Sequence, residues 1–150
     1  METFTGETKM KKPRAQTILL VDDEPMWLDA MRIVLKEEGY RTIMVTSGEE
    51  ALLKLQRRKP DLIMADVRMP VMNGFDLYQK IREIPKMARV PIVFMSSIDD
   101  YYAKRTAKEL GAQGYVTKPH LSEDLKKSVK SLFEELPKRN VLSSPGDKKS

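Results

Sequence analysis

The sequence predicts an α/β fold in which five parallel strands form one open, doubly wound sheet, a (βα)5 arrangement. Three observations predict it. Five apolar runs have the length of a strand and lack the alternation of polar and apolar residues that a half-exposed strand shows. Amphipathic helical patterns lie between these runs. The connections are short, as expected for right-handed crossovers between neighbouring parallel strands.

The predicted strands are aliphatic segments of four or five residues. They lie at residues 17–21, 42–46, 61–65, 91–95 and 114–117. Uninterrupted apolar runs of this kind are typical of strands that helices cover on both faces.

The predicted helices carry apolar residues at helical spacing on one face. They span residues 25–37, 48–58, 74–84, 99–110 and 122–136. Pro25 suits the first turn of a helix, and Ser122 is a good N-cap for the last one. Pro137 is expected to end that last helix.

Composition limits the classes of function. With 150 residues, of which 41% are hydrophobic and 33% charged, the chain suits one globular domain. The absence of cysteine excludes disulfides and thiolate metal sites, and the single His120 excludes a cluster of histidine ligands. No membrane span and no secretory signal are recognisable, so we expect a cytoplasmic protein without membrane contact.

Basic residues crowd both ends of the chain. They are Lys9, Lys11, Lys12 and Arg14 near the start, and Lys138, Arg139, Lys148 and Lys149 near the end. We interpret residues 1–15 and 137–150 as flexible, solvated tails around a domain at 16–136. Nucleic-acid binding is not favoured, because no stacking aromatics accompany the basic runs and no helix-turn-helix pattern is present.

Polar residues follow four of the predicted strands. Listed in chain order, they are Asp22, Asp23 and Glu24, then Asp66, then Ser96 and Ser97, and finally Lys118. Parallel strands end at the same edge of the sheet, so these side chains are expected to meet there. Each has an ordinary explanation when taken alone, as a helix N-terminal acid, a turn residue, a loop hydroxyl or a surface lysine. The coincidence at four strand ends favours a site.

The chemistry of that set is specific. Carboxylates placed close together repel one another unless a cation joins them, and oxygen ligands without histidine or cysteine suit Mg²⁺, with Mn²⁺ as the alternative. An aspartate can act as a nucleophile and become an acyl phosphate. A lysine and a hydroxyl can then bind the phosphoryl oxygens.

Four segments resemble the receiver domain of two-component response regulators, in order and in spacing. They are ILLVDDEP, DLIMADVRMPVMNGF, PIVFMSS and GAQGYVTKP, and the resemblance extends over about residues 16–136. It implies a flavodoxin-like sheet with the strand order 2-1-3-4-5, as in chemotaxis receivers.

The resemblance also implies residue roles. Asp66 would be the phosphoacceptor. Asp23, Asp66 and the main-chain carbonyl of Arg68 would bind Mg²⁺ directly, and Asp22 would bind it through water. Lys118 would pair with the phosphoryl group.

Further roles implied by the resemblance concern signalling. Ser96 would be the switch hydroxyl and Tyr115 the switch aromatic residue. Arg68 and Ile98 would set the lifetime of the phosphoryl group, because they flank the path of the attacking water.

The resemblance implies a phosphorylation-activated switch with self-catalysed phosphoryl transfer and autodephosphorylation, not an ordinary enzyme. A histidine kinase or a phosphotransfer protein would supply the phosphoryl group. The output would be a protein partner that binds helix 4, strand 5 and helix 5, and the chain would be a monomer or a phosphorylation-dependent dimer.

Two alternatives stay open on the sequence. One is a Mg²⁺-dependent phosphatase with an aspartyl nucleophile. Phosphatases of the haloacid-dehalogenase type place a second aspartate two residues after the nucleophile, where this chain has Arg68. The other is the receiver half of a longer DNA-binding regulator, for which the segment after the last helix is too short to supply an output domain.

Overall fold

Five parallel strands form one sheet in the order β2-β1-β3-β4-β5, which confirms the predicted fold class. The computed structural model describes residues 15–96, 101–118 and 123–142, with the side chains of 125–134 in the last of these ranges. The strands are β1 Thr17–Val21, β2 Arg41–Val45, β3 Leu62–Asp66, β4 Ile92–Ser96 and β5 Gly114–Thr117.

Helices connect the strands and pack on both faces of the sheet. They are α1 Pro25–Glu37, α2 Gly48–Leu55, α3 Gly74–Arg82, α4 Tyr101–Leu110 and α5 Glu123–Leu142, with a short 3-10 turn at Pro85–Met87 after α3. The helices α2 and α3 end earlier than predicted, at residues 55 and 82 instead of 58 and 84. Within the described residues, no helix is both long and apolar enough to cross a membrane.

The strands β3 and β4 each lie one residue later in the chain than the apolar runs predicted. Main-chain pairing decides the difference, since Asp66 pairs with Met95 and Ser96 pairs with Thr117. Asp66 and Ser96 are therefore the last residues of their strands and do not belong to the turns that follow. The hydrogen-bonded sheet fixes the position of both side chains.

Two apolar layers cover the sheet. One face packs against α2, α3 and α4, with Leu77 and Ala107 among the buried residues. The other face packs against α1 and α5, with Met31 and Val129 among them. Helices on both faces explain why the strands read as continuous apolar runs.

The prediction that α5 ends at Pro137 is wrong, because the helix continues through this residue to Leu142. Proline lacks an N–H group and so removes one main-chain hydrogen bond, yet the helical backbone on either side accommodates it here. Residues 137–142, interpreted as tail, are therefore helical. Ser122, most of the N-terminal segment (1–14) and residues 143–150 lie outside the described part of the chain.

Candidate functional site

Three polar side chains are buried where strands end. Asp22 follows β1 and is 0% exposed, Asp66 ends β3 at 5%, and Ser96 ends β4 at 2%. Asp23 lies next to Asp22 and is exposed. One carboxylate oxygen from each of the three aspartates lies within 4.8 Å of the other two. The predicted gathering at the carboxyl edge is thus present in the folded chain.

Lys118, which directly follows β5, reaches into this carboxylate cluster. Its Nζ lies 2.7 Å from Asp22 Oδ2 and 3.4 Å from Asp66 Oδ1, and the side chain is only 7% exposed. The same Nζ lies 3.2 Å from Glu24 Oε1, at the rim of the site. Sequence reasoning placed Glu24 and Lys118 at the same edge of the sheet but assigned Glu24 no role as a partner of Lys118.

The electrostatics of the site favour the neutral form of Asp66. Burial raises its pKa to about 7, and the negative charge of Asp22 adds to this effect, whereas Lys118 opposes it. Burial likewise raises the pKa of Asp22, against the hydrogen bond from Lys118. Burial alone would lower the pKa of Lys118, but its hydrogen bond to Asp22 and the charge of Asp66 outweigh burial and raise it. One lysine therefore does not balance the carboxylates.

Gly74 allows the chain to turn closely behind the site. A Cβ atom at this position would lie 2.5 Å from the main-chain oxygen of Asp66, so any larger residue would displace the end of β3. The Gly74 N–H donates to the Val67 carbonyl at 2.9 Å. Asn73 caps α3 by accepting from the Asp76 N–H at 2.9 Å. The close approach of Gly74 to Asp66 was not predicted from the sequence.

The donor set fits a hard divalent cation. It consists of carboxylate oxygens around a small, negatively charged centre, and Mg²⁺ prefers one or two carboxylates with retained water. Arg68 follows β3 by two residues, and its side chain is exposed. The residues present are therefore compatible with the Mg²⁺ site that the sequence predicted.

Comparison with known proteins identifies the domain. The family model of the response regulator receiver domain matches residues 18–130, which is most of the described chain. The chain belongs to the response regulator receiver domain family. Receiver domains of this family are phosphoacceptor switches of two-component signalling, and they are not ordinary enzymes.

Relatives of this receiver domain differ in length. The chain is 34% identical over 128 residues to the alkaline phosphatase synthesis transcriptional regulatory protein PhoP of Bacillus subtilis. The alignment covers 85% of this chain and 51% of PhoP. It is 36% identical over 102 residues to a 14.6 kDa protein of Leptolyngbya boryana, covering 68% of this chain and 78% of that protein. This chain thus spans about half of PhoP.

A solved receiver structure has the same fold. The chemotaxis response regulator CheY4 of Vibrio cholerae superposes with a TM-score of 0.74 at 30% identity, covering 79% of this chain and 99% of that one. Nearly all of that solved chain is thus matched by the β-α core of this receiver domain.

The predicted switch residues of the receiver domain occupy different parts of β4 and β5. Ser96 lies at the site edge, whereas Tyr115 pairs with Phe94 two residues further back in the sheet. The Tyr115 ring packs against the layer that contains α4. Its hydroxyl is buried and has no hydrogen-bond partner among the described residues. Ile98, predicted to affect the phosphoryl lifetime, lies outside the described part of the chain.

Proposed function

We propose that this receiver domain is switched by phosphorylation of Asp66, with a phosphohistidine of a histidine kinase or a phosphotransfer protein as the donor. One observation carries the proposal. The buried Asp66 carboxylate ends β3 within 4.8 Å of two further carboxylates and 3.4 Å from the Lys118 ammonium. A buried nucleophile with this surplus of negative charge fits a site that receives a phosphoryl group together with a cation.

The transfer step conserves atoms and charge. An oxygen of ionised Asp66 attacks phosphorus, the N–P bond of the donor breaks, and the imidazole leaves with the electron pair and takes up a proton. Hydrolysis later breaks the acyl O–P bond when water attacks, and Asp66 leaves as a carboxylate. Because burial raises the pKa of Asp66 to about 7, the ionised nucleophile is scarce below that pH in the free site.

Mg²⁺ is the proposed cofactor, with Mn²⁺ as the alternative. Asp23, Asp66 and the Arg68 carbonyl would hold it directly, and Asp22 would hold it through water. When bound, the ion supplies positive charge that neutralises the carboxylates and the incoming phosphoryl oxygens.

Two side chains would bind the phosphoryl oxygens. Lys118 already contacts Asp66 and can transfer its ion pair to the phosphoryl group. Ser96 is the last residue of the neighbouring strand, and its hydroxyl can donate a hydrogen bond to a second phosphoryl oxygen. Both interactions favour the phosphorylated state, because the charge on the phosphoryl oxygens exceeds that of a carboxylate.

The output is proposed to be a protein partner that binds α4, β5 and α5. Helix α4 buries only Ala103 and Ala107, so it is weakly held against the sheet. The Tyr115 hydroxyl is already buried, and we propose that phosphorylation stabilises this inward ring position instead of creating it. Candidate partner contacts are the exposed side chains Tyr101, Tyr102, Lys104 and Arg105.

Arg68 and Ile98 are proposed to set how long the phosphoryl group persists. They follow Asp66 and Ser96 by two residues each, and the resemblance to receiver domains implies that such positions flank the path of the attacking water. Replacing either with alanine should change the dephosphorylation rate and leave the free energy of unfolding nearly unchanged. Identical lifetimes for both variants and the parent would contradict this assignment.

The central proposal is tested by phosphorylation with a small donor. The protein is incubated with Mg²⁺ and acetyl phosphate, and its intact mass is measured. The parent should gain one phosphoryl group, and Asp66→Asn should gain none. Asp29→Asn, which changes an exposed aspartate of α1 that pairs with Arg32, is the matched control and should match the parent. A full gain of mass in Asp66→Asn would exclude Asp66 as the acceptor.

The metal requirement is tested in the same assay. EDTA and the Asp23→Ala variant should each prevent phosphorylation, since both remove the charge that offsets the carboxylates. Full phosphorylation in EDTA would exclude the metal-dependent mechanism.

The output surface is tested by amide chemical shifts with beryllofluoride as the phosphoryl mimic. Shifts should concentrate in residues 96–120. Shifts confined to the strand ends around Asp23 and Asp66 would exclude α4, β5 and α5 as the output.

One observation favours a second candidate, the receiver part of a longer transcriptional regulator. This chain spans 51% of PhoP, a protein named as a transcriptional regulator. DNA binding by the product of the complete reading frame, increased by acetyl phosphate, would support this candidate. In either case we propose a cytoplasmic location and a monomer or phosphorylation-dependent dimer.

A further inference from the structure

Trp27 lies beside the lysine of the site. It is the chain's single tryptophan and the third residue of α1. Lys118 Nζ lies 5.3 Å from the centroid of its ring, within the range in which an ammonium is attracted by an aromatic face. Three carboxylates surround the same ammonium at 2.7, 3.2 and 3.4 Å, so the ring adds an uncharged contact to an otherwise anionic environment.

The ring is fixed in place by the core. Trp27 is partly buried and packs against the apolar layer between the sheet and helices α1 and α5, and Val116 of β5 packs against the same layer. The indole and the strand that leads to Lys118 are therefore supported by the same layer, and the ring contacts the Lys118 ammonium at the end of that strand. The contact joins the start of α1 to the end of β5, on the side of the site opposite α4.

A tryptophan at position 27 leaves a buried N–H group unpaired within the described part of the chain, which indicates that the face of the ring, and not its N–H group, makes the important contact. Trp27 Nε1 is buried and donates to no acceptor among the described residues. An unsatisfied buried N–H group destabilises a fold, and phenylalanine would fill much of the same space without it. Compared with phenylalanine, tryptophan offers a stronger attraction for a cation.

We propose that Trp27 is a positioning residue for Lys118, and this inference rests on the proposed phosphoryl transfer to Asp66. The indole attracts one side of the ammonium and shields it from water, which keeps Lys118 within the site. Asp22, Glu24 and Asp66 compete for the same ammonium. A ring that attracts the ammonium without pairing with it leaves Lys118 free to exchange Asp66 for a phosphoryl oxygen.

The test compares rate and stability in the same set of variants. Initial rates of phosphorylation by acetyl phosphate and Mg²⁺ are measured by intact mass, and stability by urea unfolding. Trp27→Leu should slow phosphorylation about 3- to 10-fold, and Trp27→Phe by a smaller factor, as expected from the strength of cation–π contacts. Trp27→Phe should retain nearly all of the parent's stability, because it removes the unpaired N–H.

A matched control separates positioning from packing. Phe133 belongs to the same apolar layer and stacks on Tyr40 with ring centroids 5.2 Å apart. Phe133→Leu should lower the midpoint of unfolding but keep the parent's phosphorylation rate. If the role of Trp27 were only structural, the phosphorylation rate and the stability would fall together in the Trp27 and the Phe133 variants.

Fluorescence tests the contact without phosphorylation. Trp27 emission should change in Lys118→Met, which removes the neighbouring charge, and stay as in the parent in Lys126→Met, since Lys126 pairs with Glu37 at the other end of α1. A folded Trp27→Leu variant with the parent's rate, or unchanged emission in Lys118→Met, would overturn the inference. If the parent gains no phosphoryl group, the proposed function fails and the inference fails with it. If the parent is phosphorylated and Trp27→Leu is phosphorylated at the same rate, only the inference about Trp27 fails.

Discussion

The carboxyl edge of β3 and helix α4 are stabilised in opposite ways. All five residues of β3 are buried, and the strand pairs on both sides, so Asp66 is held rigidly despite its unfavourable surroundings. Helix α4 buries only two residues, both alanines, and exposes Tyr101 and Tyr102. Strand pairing on both sides thus holds a buried carboxylate in unfavourable surroundings, whereas the adjacent helix α4 is packed through few buried side chains.

Helix α3 shows how much stronger the packing on the same face can be. It buries Leu77, Tyr78 and Ile81, and its first turn has a capping box. Both helices contribute to one apolar layer. The smaller buried side chains of α4 are therefore a property of its sequence and not of this face of the sheet.

The largest expected effect tests this contrast in packing. Leu77→Ala should lower the free energy of unfolding by about 2–5 kcal/mol, because it removes a fully buried side chain and leaves a cavity. Ala107→Gly in α4 should cost only about 1 kcal/mol, mainly through helix propensity. Urea unfolding of both variants measures the difference. Equal losses would show that α4 is held as firmly as α3.

The next effect concerns the electrostatic conflict at the site. In the folded chain, burial raises the pKa of Asp66 to about 7 from the usual 3.8. At a pH between these two pKa values, the folded state keeps a proton on Asp66 that the unfolded state has lost. The free energy of unfolding therefore falls as pH rises towards 7, and Asp66 does not lower it below about pH 4. Asp66→Asn should therefore stabilise the metal-free protein at pH 7 by up to about 4 kcal/mol.

The measurement is urea unfolding in EDTA at several pH values. The gain from Asp66→Asn should shrink as pH is lowered from 7 towards 4, and Mg²⁺ should stabilise the parent more than the variant. Asp29→Asn, at an exposed position, serves as the control and should give no comparable gain. A pH-independent gain in Asp66→Asn would contradict the assigned cause.

A smaller effect concerns the point at which α4 is anchored. The Tyr78 hydroxyl of α3 donates to the Leu110 carbonyl at 2.7 Å, so the last residue of α4 is held although its body is loosely packed. Tyr78→Phe should cost about 0.5–1.5 kcal/mol, as for one buried hydrogen bond. Hydrogen exchange should accelerate in α4 more than in α3. Uniform acceleration over both helices would show that Leu110 is not a separate anchor.

Sequence reasoning predicted the sheet because its strands are buried on both faces and therefore read as apolar runs. It predicted the gathering of Asp22, Asp23, Asp66 and Lys118 because parallel strands end at one edge, and the structure brings these side chains together. Their roles in metal binding and phosphoryl transfer stay predictions.

Other features depend on tertiary placement and left no local signal. The pairing of Asp66 with Met95, which extends β3 by one residue, is set by the neighbouring strand. The contacts of Glu24 and Trp27 with Lys118 join segments more than ninety residues apart. Pro137 is a strong local helix breaker, yet α5 continues past it.

The smallest effect concerns backbone strain at the carboxyl edge. Val71, in the loop between β3 and α3, has a φ of 69°, in the left-handed region that β-branched residues rarely adopt. Its side chain is 91% exposed, so packing does not offset the strain. No such residue occurs in the described part of α4, and the edge near Asp66 is thus strained in its backbone as well as in its charges.

Val71→Gly should stabilise the protein by about 0.5–1 kcal/mol. Relief of the left-handed strain is worth about 1–2 kcal/mol, and the greater freedom of glycine in the unfolded chain offsets part of it. Val71→Ala is the matched control. It keeps a Cβ atom and hence most of the strain, so it should gain much less in urea unfolding. If alanine stabilised as much as glycine, the gain would come from removing an exposed apolar side chain, and the loop would not be strained at this residue.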